Sequence, residues 1–190
     1  MLRILEYTIV ARRLHAAFQR FADNRRGAVA LEFALIAIPF FLLIFGLLEV
    51  CMIFIISIIL EHGTHEASRL IRTGQLQEGG IGQVAFKNLV CAELYGLLQC
   101  NEELSIDVKT FDSFGATENP SPIDSDGEFD DSGFAFVPGD SNEIVVVRVF
   151  YEWKLITPAL TAPLANMTGN RRLLQATVAF RNEPFGTQNP

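Results

Sequence analysis

Two carboxylates, Glu32 and Glu49, are the only charges in an apolar run that extends from Ala28 to Leu60. A carboxylate held in hydrocarbon costs on the order of 2.5–3.5 kcal/mol even on a lenient insertion scale, so each should find a cation, hydrogen-bond donors or an aqueous edge. Glu49 lies 21 residues after Ala28, roughly 31 Å along a helix. It is expected near an interface, reaching water or touching a neighbouring span. Beyond the run stand three weaker constellations. His62, His65 and Glu66 bring two imidazoles and a carboxylate together, but the spacing is not HExxH and fits a polar helix face better than a metal site. Asp124, Asp126, Glu128, Asp130 and Asp131 alternate in a loop, yet Gly127 is misplaced for an EF-hand and the terminal glutamate is absent, so a solvated turn is expected. Asn166-Met167-Thr168 matches a glycosylation acceptor, a pattern common by chance. No nucleophile elbow, no P-loop and no Ser/His/Asp set appears, so no catalytic residue, metal or cofactor is expected.

The elements that must carry these residues follow from composition. The chain has 190 residues, 49% of them hydrophobic and only 19% charged, with a mean hydropathy of +0.27. A soluble domain usually has about a quarter of its residues charged. The net charge of −7 argues against electrostatic binding of nucleic acid. Charge is uneven, however. The first 27 residues carry six arginines against Glu6 and Asp23, a balance of +4, and the remainder carries −11. The 33-residue apolar run between them makes a helix of roughly 50 Å, where a bilayer core needs about 20 residues. It is too long for the apolar core of a secretory signal. A single membrane span is expected, bent at Pro39. The arginine-rich residues 1–27 then lie on the cytoplasmic side and the acidic remainder on the other.

Past the span, the helix is expected to continue through polar residues to about Arg72, stopped at Thr73-Gly74. Gly79, Gly80 and Gly82 form a joint rather than a nucleotide fingerprint, since no strand precedes them. Phe86, Leu89, Val90, Leu94 and Leu97 recur at helical spacing, which predicts a second helix over 83–98. Alternation and β-branched residues predict strands at Leu104–Phe111, Ile144–Ile156 and Leu173–Arg181. The Pro-, Asp-, Ser- and Gly-rich stretch 112–142 reads as a long surface loop. The fold class is therefore α+β: a long amino-terminal transmembrane helix, then a small antiparallel sheet with a short helix packed on one face. Three regions are expected: a basic leader at 1–27, the span at 28–60 continuing to about 73, and an exported domain at 74–190. Cys51 reads as a small apolar residue of the span. Cys91 and Cys100 fall in the exported part, where an oxidising compartment favours a disulfide between them.

Arg25-Arg26-Gly27-Ala28-Val29-Ala30-Leu31-Glu32-Phe33 resembles the processing site of type IV prepilins. The resemblance implies cleavage between Gly27 and Ala28 by a prepilin peptidase, for which glycine supplies an unhindered extended backbone. It also makes Glu32 the fifth residue of the mature chain. The new amine of one subunit would neutralise Glu32 of its neighbour and favour staggered assembly. The wider stretch from Arg25 to Gln75 is similar to the TadE-like family, minor pilin-like subunits (pseudopilins) of the tight-adherence (Flp) pilus system. VVVRVFYEW and AFRNEPF also resemble the family's strand and tail. The resemblance implies an inner-membrane, single-pass subunit whose partners are the membrane, the prepilin peptidase, other pilin-like subunits and the pilus assembly platform. Phe33 departs from the tyrosine that follows the glutamate in the major pilin. That departure and the long exported domain favour a minor subunit. The alternative is an uncleaved single-span scaffold of an envelope or secretion complex, with a periplasmic interaction domain.

Overall fold

The structure is a computed structural model and describes residues 25–100, 103–117, 120–157 and 162–186. Its elements are α1 (Arg25–Arg72), α2 (Gln75–Glu78), α3 (Gln83–Ala92), β1 (Leu104–Phe111), β2 (Ile144–Lys154) and β3 (Arg171–Arg181). The chain divides into a unit ending at Leu47 and a compact unit from Leu48 to Pro190. The class is α+β, as the patterning predicts.

In the first unit, α1 is apolar on every side. Val29, Leu31, Phe33, Leu35, Ile36 and Phe40 are all exposed, and Pro39 lies inside the helix without ending it. A soluble helix hides such residues in a core; here they meet the surroundings directly.

In the second unit the same helix becomes two-faced. Ile53, Ile56, Leu60, Ala67 and Ile71 are buried, at the three- and four-residue spacing that collects side chains on one stripe. They share a core with Phe86 and Val90 of α3, Ile106 and Val108 of β1, Val147 and Val149 of β2, and Leu174 of β3. Each such side chain contributes about 1.5–3 kcal/mol on burial. The two ends of this helical segment are fixed. Glu49 bonds to Ile156 and Thr157 just past β2, and the Arg72 carbonyl accepts the Glu183 N–H at 2.8 Å just past β3. The segment therefore runs the length of the sheet. Gly63 permits close packing on α3: a Cβ there would sit 3.3 Å from Leu94 Cδ2, Glu93 Cβ and the Val90 carbonyl.

The sheet is an antiparallel meander in the order β1-β2-β3. Leu104 pairs with Tyr151 and Phe111 with Ile144; Ile144 pairs in turn with Arg181, and Lys154 with Arg171. β1 matches its predicted bounds. β2 stops two residues early, and β3 starts two residues early at Arg171. The inner face packs on the helices. The outer face is covered by residues of the 120–142 loop, which form a second layer: Phe150, Met167 and Leu173 pack with Ile123, Phe129 and Phe134. The loop is tied to β1 by the Val108 N–H to the Ala135 carbonyl and the Val137 N–H to the Val108 carbonyl, both 2.8 Å.

Two elements differ from the sequence reading. The helix expected over 83–98 ends at Ala92, because Tyr95 (φ 53°) and Gly96 (φ 68°) turn into the left-handed region. Leu97 is consequently 64% exposed instead of lying on the packed face. The single turn α2, with Leu76 buried, was not expected at all. Gly74 (φ 78°) starts it, where a Cβ would fall 2.2 Å from the Phe185 ring.

Candidate functional site: the apolar helix and its carboxylates

Gly27 and Ala28 lie in the first turn of α1, whose helical backbone starts at Arg25. The extended backbone expected around that bond is thus not present in the folded helix. The bond is only two residues inside a helix end, where the first N–H groups have no intrahelical acceptor. Residues 1–24 of the basic leader lie outside the described residues. Glu32 is exposed on α1 between Leu31 and Phe33, and among the described residues no cation is paired with it.

Glu49 is the opposite case. It is 3% exposed and faces into the compact unit. The Thr157 N–H donates to its Oε2 at 2.8 Å, and the Ile156 N–H and Thr157 hydroxyl donate to the same carboxylate. The chain leaves β2 at Lys154, so these amides have no strand partner to bond and Glu49 accepts from them instead. This carboxylate fastens α1 to the end of β2. The residues from Ala28 to Leu48 make a helical stretch of roughly 30 Å, the thickness of a bilayer core, apolar except for Glu32. α1 is long and apolar enough to cross a membrane.

Cys91 and Cys100 are joined in a disulfide, closing the turn-rich segment that follows α3. Cys51 is unpaired and exposed on α1. His62, His65 and Glu66 are all exposed. Glu66 accepts from Arg69 at 2.9 Å, an ordinary same-face helical pair. Among the described residues no cluster of three metal-ligating side chains forms.

The acidic loop is held by its own carboxylates. Asp124 Oδ1 accepts the Asp126 and Glu128 N–H groups at 2.9 and 2.8 Å. Hydrogen bonds from Ser132, side chain and backbone, hold the Asp130 carboxyl below the usual range. The Thr168 hydroxyl and then Arg171 do the same for Glu128. Arg171 also bonds Glu152 on β2, so this loop is stitched to the start of β3. Asn166, the glycosylation-like position, accepts the Leu173 N–H at 2.8 Å.

A buried ion pair escaped the sequence reading. Asp107 and Arg148 face each other across β1 and β2, and Arg148 Nε donates to Asp107 Oδ2 at 3.0 Å. Asp107 Oδ1 accepts the Ala135 N–H at 2.8 Å, so the pair pins the covering loop as well. Lys109 Nζ reaches the Gly133 carbonyl at 2.7 Å. The signal was present: a charge at Asp107 and another at Arg148, each inside a β-branched strand, sit on the face opposite the aliphatic core. On the inner side, Tyr151 donates to Glu103 at 2.8 Å. Burial, and then the Glu103 carboxylate, push the phenol up to about 12.

Among the described residues, none of these groups forms a nucleophile–base pair. The chemistry-bearing residues instead divide between those that staple the compact unit and those exposed on an apolar helix. No curated protein and no solved structure gives a significant match to the chain. A family match falls on the helix alone, from Gly27 to Arg69. Over residues 27–69, therefore, the chain is similar to the family described as TadE-like protein.

Proposed function

We propose that this chain is a minor pilin-like subunit that supports assembly of a tight-adherence (Flp) type IV pilus. It is held in the inner membrane by α1, with residues 1–27 cytoplasmic and the compact unit on the periplasmic side. The observation that carries the reading is the family match over residues 27–69, which spans the apolar run of α1. In this reading a prepilin peptidase unwinds the first turn of α1 and cuts between Gly27 and Ala28. Ala28 becomes a cationic amino terminus. In hydrocarbon an unpaired Glu32 is costly, and the amine of an adjacent pilin-like subunit supplies the missing cation. The role is structural: the subunit offers an apolar helix for side-by-side packing and a stapled sheet unit for contact with assembly-platform proteins.

The test is the intact mass and amino-terminal sequence of the full chain from membranes, with and without the prepilin peptidase. A peptidase-dependent start at Ala28, abolished by Gly27→Leu, is expected. An unaltered Met1 start in both strains would replace this reading with an uncleaved scaffold. The helical backbone through the Gly27–Ala28 bond is the observation that favours that second reading.

A further inference from the structure

The two connections of the meander leave the sheet at opposite ends and differ in chemistry. The stretch 112–142 carries eight carboxylates and no cation. The sixteen residues from Leu155 to Asn170 carry no charge at all and are bracketed by Lys154 and by Arg171-Arg172. Within that connection Ile156 is 67% exposed, and Ala162 and Pro163 are exposed. Lys154 is exposed and Arg172 half-buried, and Arg172 Nη1 donates to the Leu164 carbonyl at 2.7 Å, which holds the guanidinium against the loop. Arg171 is taken by Glu128 and Glu152. Among the described residues neither Lys154 nor Arg172 has a carboxylate partner. Exposed apolar side chains rimmed by unneutralised cations suit the boundary of a bilayer, where apolar groups meet acyl chains and Lys and Arg reach phosphates.

The hydrogen bonds of Glu49 fix the level of this loop on α1, because its carboxylate holds Ile156 and Thr157. A hydrocarbon core takes about 20 residues of helix; counted from Ala28 it ends near Leu48, and counted from Glu32 near Met52. Glu49 lies between those levels. Its carboxylate is satisfied by the compact unit and demands no water, and the next charge of α1 is Glu61, 12 residues on. We propose that the β2–β3 connection is a second membrane contact, seated in the phospholipid surface that surrounds α1. Ile156 and Pro163 meet acyl chains, and Lys154 and Arg172 bind lipid phosphates. Depth and charge select this occupant: a phospholipid surface sets anionic groups directly over an apolar layer, at the height where α1 leaves it. The contact rests on the reading of α1 as a membrane span and does not require the cut after Gly27.

Fluorescence quenching tests the contact. Full-length chain in a C51S background carries a nitrobenzoxadiazole label on one added cysteine; Cys91 and Cys100 are bridged and take none. It is reconstituted in vesicles of phosphatidylcholine and phosphatidylglycerol. The label at I156C is expected to be quenched by lipid bearing a doxyl group high on the acyl chain and shielded from aqueous iodide. At S113C, exposed two residues past the other end of the sheet, the reverse is expected. In phosphatidylcholine alone, or with Lys154→Glu and Arg172→Gln together, lipid quenching at I156C should fall several-fold, with near-UV circular dichroism checking that each variant folds. F41C on α1 should be quenched by lipid throughout, which scores the span separately. In native membranes a benzophenone at I156C should give phospholipid adducts. Iodide quenching at I156C while F41C is quenched by lipid, indifference to lipid charge and to both substitutions, or a protein adduct in place of a lipid would each overturn the contact. An F41C label open to iodide would overturn the membrane reading of α1, and the contact with it.

Discussion

Glu49→Ala is the most informative single change in this molecule. It removes the acceptor for two backbone N–H groups and one hydroxyl, those of Ile156 and Thr157. Hydrogen bonds to a charged acceptor contribute about 1.5–3 kcal/mol each, and a stranded buried donor costs about 1–3 kcal/mol. Ile156 is 67% exposed, so water reaches part of this site and solvates some of the released donors. Removing the carboxylate also removes the cost of holding a charge at 3% exposure. These offsets bring the expected loss to about 2–3 kcal/mol. For a unit of this size each kcal/mol moves the midpoint by about 3–4 °C, giving a fall in Tm of about 6–12 °C. Near-UV circular dichroism of the full chain in detergent would follow the Trp153 environment through the transition. Thr157→Val, which deletes only the hydroxyl, should cost about 1 kcal/mol. The double variant should fall short of the sum, because both act on one carboxylate. A Glu49→Ala midpoint within about 2 °C of wild type would refute the view that this carboxylate fastens α1 to the sheet.

Three further outcomes are expected. Cys91→Ser with Cys100→Ser opens a ten-residue loop and should cost about 2–3 kcal/mol on chain-entropy grounds, read as a lower urea midpoint at unchanged slope. Asp107→Ala leaves Arg148 buried without its carboxylate and frees the Ala135 N–H; a loss of about 3–5 kcal/mol is expected, with new proteolytic cleavage between residues 120 and 135. Tyr151 holds its proton up to about pH 12 in the fold but releases it near 10 when unfolded. Its contribution is therefore complete below pH 10 and lost as pH rises towards 12, so wild type should lose more Tm than Tyr151→Phe over that window.

Local patterning made the fold legible where one physical rule acts alone. The alternation of LSIDVKTF places β1 at its observed bounds, and the run of β-branched residues from Ile144 marks β2 despite a charge in its middle. The helix over 83–98 was overextended because apolar periodicity continues through Leu97, whereas backbone conformation at Tyr95 and Gly96 ends it. Periodicity reports which side chains could share a face, not whether the backbone remains helical. The partners of Glu49 are not foreseeable from sequence: Ile156 and Thr157 lie more than a hundred residues away, and backbone donors carry no residue-type signature. The same holds for the covering loop. Its turn residues announced a loop, while Phe129 and Phe134, which make it a second layer on Phe150, were the signal passed over. The expectations at Glu32 and Gly27 rest on a charge and a glycine that stand out against an apolar background.

The fastening of α1 to the end of β2 has a consequence for the order in which the molecule can form. Glu49 must wait for Thr157, a closure across 108 residues, and Leu60 and Ile71 must wait for the sheet that covers them. Pairing of β1 with β2 and of β2 with β3 spans much shorter separations, so the meander can assemble first. During amino-to-carboxyl synthesis, α1 therefore spends the time needed to make more than a hundred residues with its core-facing stripe bare. That interval is when a holding factor, or the stripe's own tendency to aggregate, decides how much of the chain matures.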